Sequence, residues 1–329
     1  MSVLVTGASG QIGRFVIDEL LSRGYDVVAF DVRFDPYLVS KSKSNDKLKL
    51  VSGDITDIEE VLNAVKKYNT KRIIHLAALV LFESRIRPLK AIKVNILGAL
   101  NMFEVARLMD LERVVYASSE AVLGSPPSDY SLKVVNEDVH PLTPPPEPYS
   151  ITKFVDESFG VFYRDVYNVD VVGARLTSVW GGPGRYTGYT GQFNNFLREL
   201  ILKGSAKVPE DFAYTEAKLR WLYVRDGARA FAHVALVDKA KVRRSIYNIG
   251  SGSSWNVINM LNVIKEVLPN AKVDFTPLSK PTENSSKIPG PAGLDVDCSR
   301  LYNELGFEEK YGLKGGLLDM INYVMNYEK

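Results

Sequence analysis

Val3-Leu-Val5 is a short apolar run that breaks at Gly7 and gives way, after Gly10 and Gly13, to the helical pattern Phe15, Val16, Leu20 and Leu21. This order of strand, glycine turn and helix leaves the chain few folds. Glycines permit the tight reversal, let backbone approach a pyrophosphate and let the helix seat on its strand, while the N–H groups and positive dipole end of the helix face the phosphates. Gln11 and Ile12 lie between the last two glycines, at the helix entrance. The glycines are spaced three and three, unlike the commoner Gly-x-Gly-x-x-Gly.

The next segments continue the pattern of a parallel α/β sheet. Asp26-Val-Val-Ala-Phe30 reads as a strand closing on Asp31, whose carboxylate can accept both ribose hydroxyls and would repel a 2′-phosphate, so NAD is the expected cofactor. Arg33 is either a loop arginine or a guanidinium able to accommodate that phosphate. Leu48 to Ile55 brings Asp54 and Ile55 to a loop where adenine could be held, and Arg72-Ile-Ile-His75 ends in Ala77 and Ala78, small enough for a dinucleotide to lie close. His75 reads as a strand-end histidine rather than a catalyst. A helix is expected from Pro88 to Leu108; its apolar positions cover more than one face, which implies a partner subunit. Asn95 within it is either exposed or holds a water or backbone group behind the site. Arg113-Val-Val-Tyr-Ala117 then leads to Ser118-Ser119.

Composition narrows the partners. Lys and Arg total 41 against 39 Asp and Glu, a formal charge of +2, which offers no general attraction to nucleic acid or to an anionic membrane. Cys298 is the only cysteine, and His75, His140 and His233 are far apart in sequence, so neither a disulfide nor a metal site is expected. No stretch reaches membrane-spanning length and no signal-like start is seen, so a cytoplasmic location is expected. Lys41 to Lys47 reads as a solvated loop, and Pro126 to Pro148 as an irregular connection.

Tyr149 and Lys153 stand four residues apart, one helical turn, on the same face. An ammonium so placed favours the phenolate, which can take a proton from a substrate hydroxyl. Together with the glycine turn, Asp31, the serine after the fifth strand and the further segments His75-Leu-Ala-Ala78, Asn95-Ile-Leu-Gly98, Arg175 before Val179-Trp-Gly181, Leu222-Tyr-Val-Arg-Asp226, Tyr247 to Gly252 and Asp297 to Leu301, the chain resembles the extended short-chain dehydrogenase/reductase family, the NAD-dependent sugar epimerases and dehydratases. The resemblance implies a doubly wound, Rossmann-like parallel sheet with a smaller carboxy-terminal substrate lobe: residues 1–176 and 220–249 for NAD, 177–219 and 250–329 for the substrate. It also implies that Ser119 partners the substrate hydroxyl, that Tyr149 is the acid/base and that Lys153 binds the nicotinamide ribose. Ser118 is a rival for Ser119.

For the substrate, the resemblance places Glu120, Ser178 and Arg220 in the pocket, with Arg220 at a diphosphate-pairing position. The family's Arg-x-x-Asn reads Arg175-Leu-Thr-Ser178, and a second phosphate arginine before Asp297 is missing, with Lys287 a possible substitute. The expected activity is epimerisation of a nucleotide-diphosphate sugar through a transient ketone; the alternative is net dehydrogenation of a free sugar, sugar acid or small polyol. Dehydration would ask for more carboxylates than Glu120 supplies, and a dinucleotide-sensing protein would have no use for a complete Ser, Tyr and Lys set. Gly181 to Gly191 is expected to form a flexible loop, and the Pro88–Leu108 helix and another from Ile151 to Tyr163 are expected to pair across a homodimer.

Overall fold

The computed structural model describes residues 1–124, 134–139, 147–182, 188–280, 282 and 295–327. Seven strands build the central sheet: β1 (Ser2–Thr6), β2 (Asp26–Asp31), β3 (Leu48–Ser52), β4 (Thr70–His75), β5 (Arg113–Ser119), β6 (Val171–Leu176) and β7 (Ile246–Ile249). They lie in the order β7-β6-β5-β4-β1-β2-β3, every pair parallel. The chain moves outward one way from β1 and the other way from β4, so the strand order reverses between these two neighbours. Such a reversal sets a crevice at the carboxyl ends of the strands, where ligands of open α/β sheets bind.

Both sheet faces are covered, which is why the strands are apolar at consecutive positions instead of alternating with polar ones. Val3, Val5, Val27, Ala29, Ile74, Val115 and Val172 face one way, against Val16, Ile17 and Leu20 of α1 (Gly13–Ser22). Leu4, Val28, Phe30, Ile73, Val114 and Val171 face the other, against Val61, Val65 and the Met102, Phe103 and Ala106 face of α2 (Gly98–Leu108). Each fully buried large apolar side chain in these two layers contributes roughly 1.5–3 kcal/mol. The first layer continues past the sheet into an aromatic cluster of Trp180, Phe193, Phe212, Trp221 and Trp255. Three short parallel pairs outside the central sheet join remote segments: Val179–Trp180 with Leu222–Tyr223, Ser205–Lys207 with Lys272–Asp274, and Val134–Val135 with Asp295–Val296.

Three expectations change. Lys41 and Lys43 lie in a helix, Pro36–Ser44, because Asp35 caps it, Pro36 opens it and Leu38 anchors it in the core. The expected single helix from Pro88 starts as an α turn at Pro88–Ala91, passes through a π turn at Ile92–Leu97 and becomes regular again in α2. The Gly181–Gly191 segment is not a loop throughout, since a helix spans Gly188–Lys203. Most of the proline-rich connection and Lys287 lie outside the described residues, and no helix among the described residues is long and apolar enough to cross a membrane.

Candidate active site

The glycine turn closes against β4. Gly7 has φ +66°, and a Cβ there would stand 2.7 Å from the backbone nitrogen of Ala77; a Cβ on Gly13 would stand 2.2 Å from the carbonyl oxygen of Gly7. Helix and turn are thus packed backbone to backbone, as only glycine allows. No side chain caps the N-terminus of α1 and no acidic residue of the helix occupies its first turn, so the positive dipole end is not satisfied from within the helix. Gln11 donates from Nε2 to the Gly181 carbonyl, tying the turn to the segment after β6, and Ile12 packs on the core.

At the end of β2, the Asp31 carboxylate accepts from the Ser9 backbone N–H at 3.0 Å and from that of Arg33 at 3.5 Å, while the Arg33 side chain is exposed. Asp54 accepts from the Thr56 N–H and turns the chain, and Ile55 is buried against Gly98. Ala77 and Ala78 follow β4 at the crevice, half-buried. A cradle without Cβ atoms, an uncapped helix end and a carboxylate at the end of β2 fit a dinucleotide.

Asn95 resolves in favour of the inward reading. The π turn drives its side chain into the interior, where Oδ1 accepts from the Leu79 N–H at 2.8 Å and Nδ2 donates to the Leu79 carbonyl and to Thr152 Oγ1, each at 3.0 Å. Thr152 Oγ1 donates in turn to the carbonyl of Tyr149. Asn95 therefore locks the segment after β4 to α3 (Pro148–Tyr167), the helix bearing Tyr149 and Lys153. Pro148 occupies the first turn of α3, where its missing N–H costs nothing. Tyr149 is half-buried and Lys153 is 2% exposed.

The lysine has a partner that sequence reasoning missed. Lys153 Nζ lies 3.1 Å from Asp156 Oδ2, both side chains being buried. Burial pushes the Asp156 carboxyl up to about 6, against the pull of Lys153. His75 sits in the sheet interior, bonded through Nδ1 to Thr6 Oγ1 at 2.7 Å; burial, helped by the Lys153 charge, holds it down to about 3 and therefore neutral.

The two serines ending β5 divide as strand alternation requires. Ser118 is buried and donates to Glu157 Oε1 at 2.6 Å, and Arg175 clamps the same carboxylate through Nε and Nη2. Ser119 is half-exposed on the opposite side, and its Oγ accepts from the Ala121 N–H, capping the turn Glu120–Leu123. Because α3 packs against β5 and this turn, Ser119 and Tyr149 are carried on touching elements. Burial pushes the Glu120 carboxyl well above the usual carboxylate range.

At the other end of the crevice, Ser178 is half-buried beside β6, and its carbonyl accepts from Leu222 N–H. Arg220 is engaged within the protein. Its Nε and Nη2 meet Asp295 Oδ1 and Oδ2 at 2.6 and 2.9 Å, and Nη1 donates to the carbonyls of Gly252 and Ser251.

The fold is a Rossmann-like α/β fold with a Tyr and Lys pair on one helix. The chain belongs to the NAD dependent epimerase/dehydratase family, whose model matches residues 3–250, and it is an NAD-dependent enzyme of the extended short-chain dehydrogenase type. It is 28% identical to the UDP-glucose 4-epimerase of Mycolicibacterium smegmatis, over 99% of each chain. Its fold is shared with the L-threonine dehydrogenase of Clostridium difficile (TM-score 0.81, 23% identity, covering 98% of this chain and 96% of the other). The UDP-glucose 4-epimerase of Thermotoga maritima shares it too (TM-score 0.80, 23% identity, all of both chains).

Proposed function

We propose that this chain oxidises a secondary hydroxyl of a small polyhydroxylated substrate, a free sugar, sugar acid or polyol, and releases NADH. The cofactor supplies the hydride acceptor; Gly7, Gly10, Gly13, Asp31 and the Ala77-Ala78 segment would hold it. Ser119 orients the substrate hydroxyl, Tyr149 receives its proton as the C–H hydride departs, and the hydroxyl carbon becomes a ketone carbon. Lys153, one turn along, steadies the phenolate with its charge and would hold the nicotinamide ribose.

The Arg220–Asp295 pair carries the choice of substrate class. Diphosphates are held by guanidinium forks presenting free donors. This fork already meets a carboxylate on two nitrogens and carbonyls on the third, and a diphosphate brought there would face the Asp295 charge. The replacement of Asn by Ser178 points the same way. The test is NADH formation across a panel of free sugars, sugar acids and polyols. Steady production from one of them supports the reading, whereas interconversion of a UDP-sugar without net NADH would overturn it.

Epimerisation of a nucleotide-diphosphate sugar is the second reading, favoured by the full-length likeness to a UDP-glucose 4-epimerase. It uses the same three residues but keeps the cofactor bound, hydride returning to the other face of the ketone. In either case residues 177–219 and 250–329 would form the substrate lobe. A homodimer through α3 and the helix from Pro88 is part of the proposal, because Leu89, Ile92, Leu97, Ile151, Phe154 and Phe162 are exposed apolar residues on these helices. Sedimentation should give a dimer, and Phe162→Glu should shift it towards monomer.

A further inference from the structure

Tyr149, Lys153 and Asp156 recur at i, i+4 and i+7 of α3 and so share one stripe of the helix. Among the described residues the Lys153 ammonium donates to Asp156, whose other oxygen, Oδ1, is buried without a partner among them. Carboxylates are seldom buried with so few hydrogen bonds, since loss of hydration is repaid only by a close opposite charge. The carboxylate here meets that condition through Lys153 alone, beneath the residues that would hold the nicotinamide end of the cofactor.

We propose that Asp156 is a positioning residue that acts through Lys153 to set the balance of affinity between the oxidised and reduced cofactor. The proposal rests on the NAD reading of the site but not on the identity of the substrate. Lys153 stands one helical turn from Tyr149, so its ammonium lies on the stripe of the helix that would face the nicotinamide. The oxidised nicotinamide ring carries a positive charge that the reduced ring lacks. With Asp156 ionised, the buried pair is neutral overall and the oxidised ring is tolerated; without that carboxylate the lone ammonium repels it and the reduced form gains.

Apart from Tyr149, whose proton the proposed reaction itself moves, the other groups facing this pair leave Asp156 as the switchable member. Glu157, on the same helix, is held by Ser118 and by the Arg175 fork from β6. His75 on β4 remains neutral, and the buried Tyr116 phenol on β5 is pushed upward and stays protonated. Arg175 keeps its charge. Burial brings the Asp156 carboxyl up to about 6, so its charge changes between pH 5 and pH 8, within ordinary assay conditions.

The experiment measures dissociation constants for NAD+ and NADH by titration calorimetry at pH 8 and pH 5, on wild type, Asp156→Asn and Asp156→Glu. At pH 8 the Kd ratio of NAD+ to NADH should rise about fivefold in Asp156→Asn, a moderate electrostatic effect, and return towards wild type in Asp156→Glu. At pH 5 the wild-type ratio should approach that of Asp156→Asn, which itself should not move. Equal ratios in a folded Asp156→Asn and in wild type at pH 8 would overturn the proposal. If Asp156→Asn does not fold, a wild-type ratio unchanged between the two pH values overturns it instead. A protein binding neither cofactor form would overturn the cofactor reading and the proposal with it, whereas failure of every small polyol as a substrate touches neither.

Discussion

The proposed cofactor end and the proposed substrate end of the site are built differently. Around Gly7, Gly13 and Ala77 the fit is made by backbone against backbone, with no room for a Cβ. Around Arg220 it is made by side chains, the guanidinium being held on two nitrogens by Asp295. Backbone geometry dictates one class of ligand across a whole family; side-chain pairs let individual members change substrate. The same contrast explains why the cofactor follows from family membership and the substrate does not.

The sharpest way to break this comparison is at the glycines. Gly13→Val would drive a branched side chain into the Gly7 carbonyl, so NAD affinity should fall at least about 100-fold by calorimetry; a change under threefold would show that the cradle is not backbone-limited. Tyr149→Phe should come next. Losing the acid/base should lower kcat by about 10²–10⁴ while NAD affinity changes less than twofold, and full turnover in the variant would remove Tyr149 from the chemistry. At the substrate end, Asp295→Asn keeps the shape and removes the charge that neutralises Arg220. It should raise affinity for UDP about tenfold, and no gain would mean that the pair does not exclude phosphates.

A smaller effect separates the two ends by pH. His75 beside the cradle is held near 3 in the folded protein, whereas an unfolded chain protonates it near 6.5. The unfolded state therefore binds the extra proton as pH falls from about 6.5 towards 3, and stability drops across that window. At pH 4.5 this amounts to about 2.5 kcal/mol relative to pH 7, read from urea unfolding. His75→Gln should lose correspondingly less on acidification, and identical losses in the two proteins would contradict the assignment.

The fold was legible because its signals are local. A strand, three glycines and a helix announce the first unit, and Asp31, Ala77 and Ser119 each fall at or just past the end of a strand. Tyr149 and Lys153 were legible because four residues make one helical turn. Asp156 obeys the same periodicity three residues further on, yet an aspartate at that spacing carries no meaning until burial shows that it touches Lys153. Asn95 needed the π turn, which sequence periodicity does not reveal, before its inward direction was settled. Arg220 was hardest to read, because its partner Asp295 is remote in sequence and joins it only through tertiary packing. Glu157 and Arg175 are a similar case: their bond fixes Ser118 and leaves Ser119 to face the crevice, and it depends on α3 lying across β5 and β6.

The most direct measurement is calorimetric titration of the NAD-loaded wild-type protein with UDP. With Arg220 held by Asp295, no saturable binding should be seen below millimolar UDP; a micromolar dissociation constant would contradict the account of the substrate end and return the chain to the nucleotide-sugar enzymes.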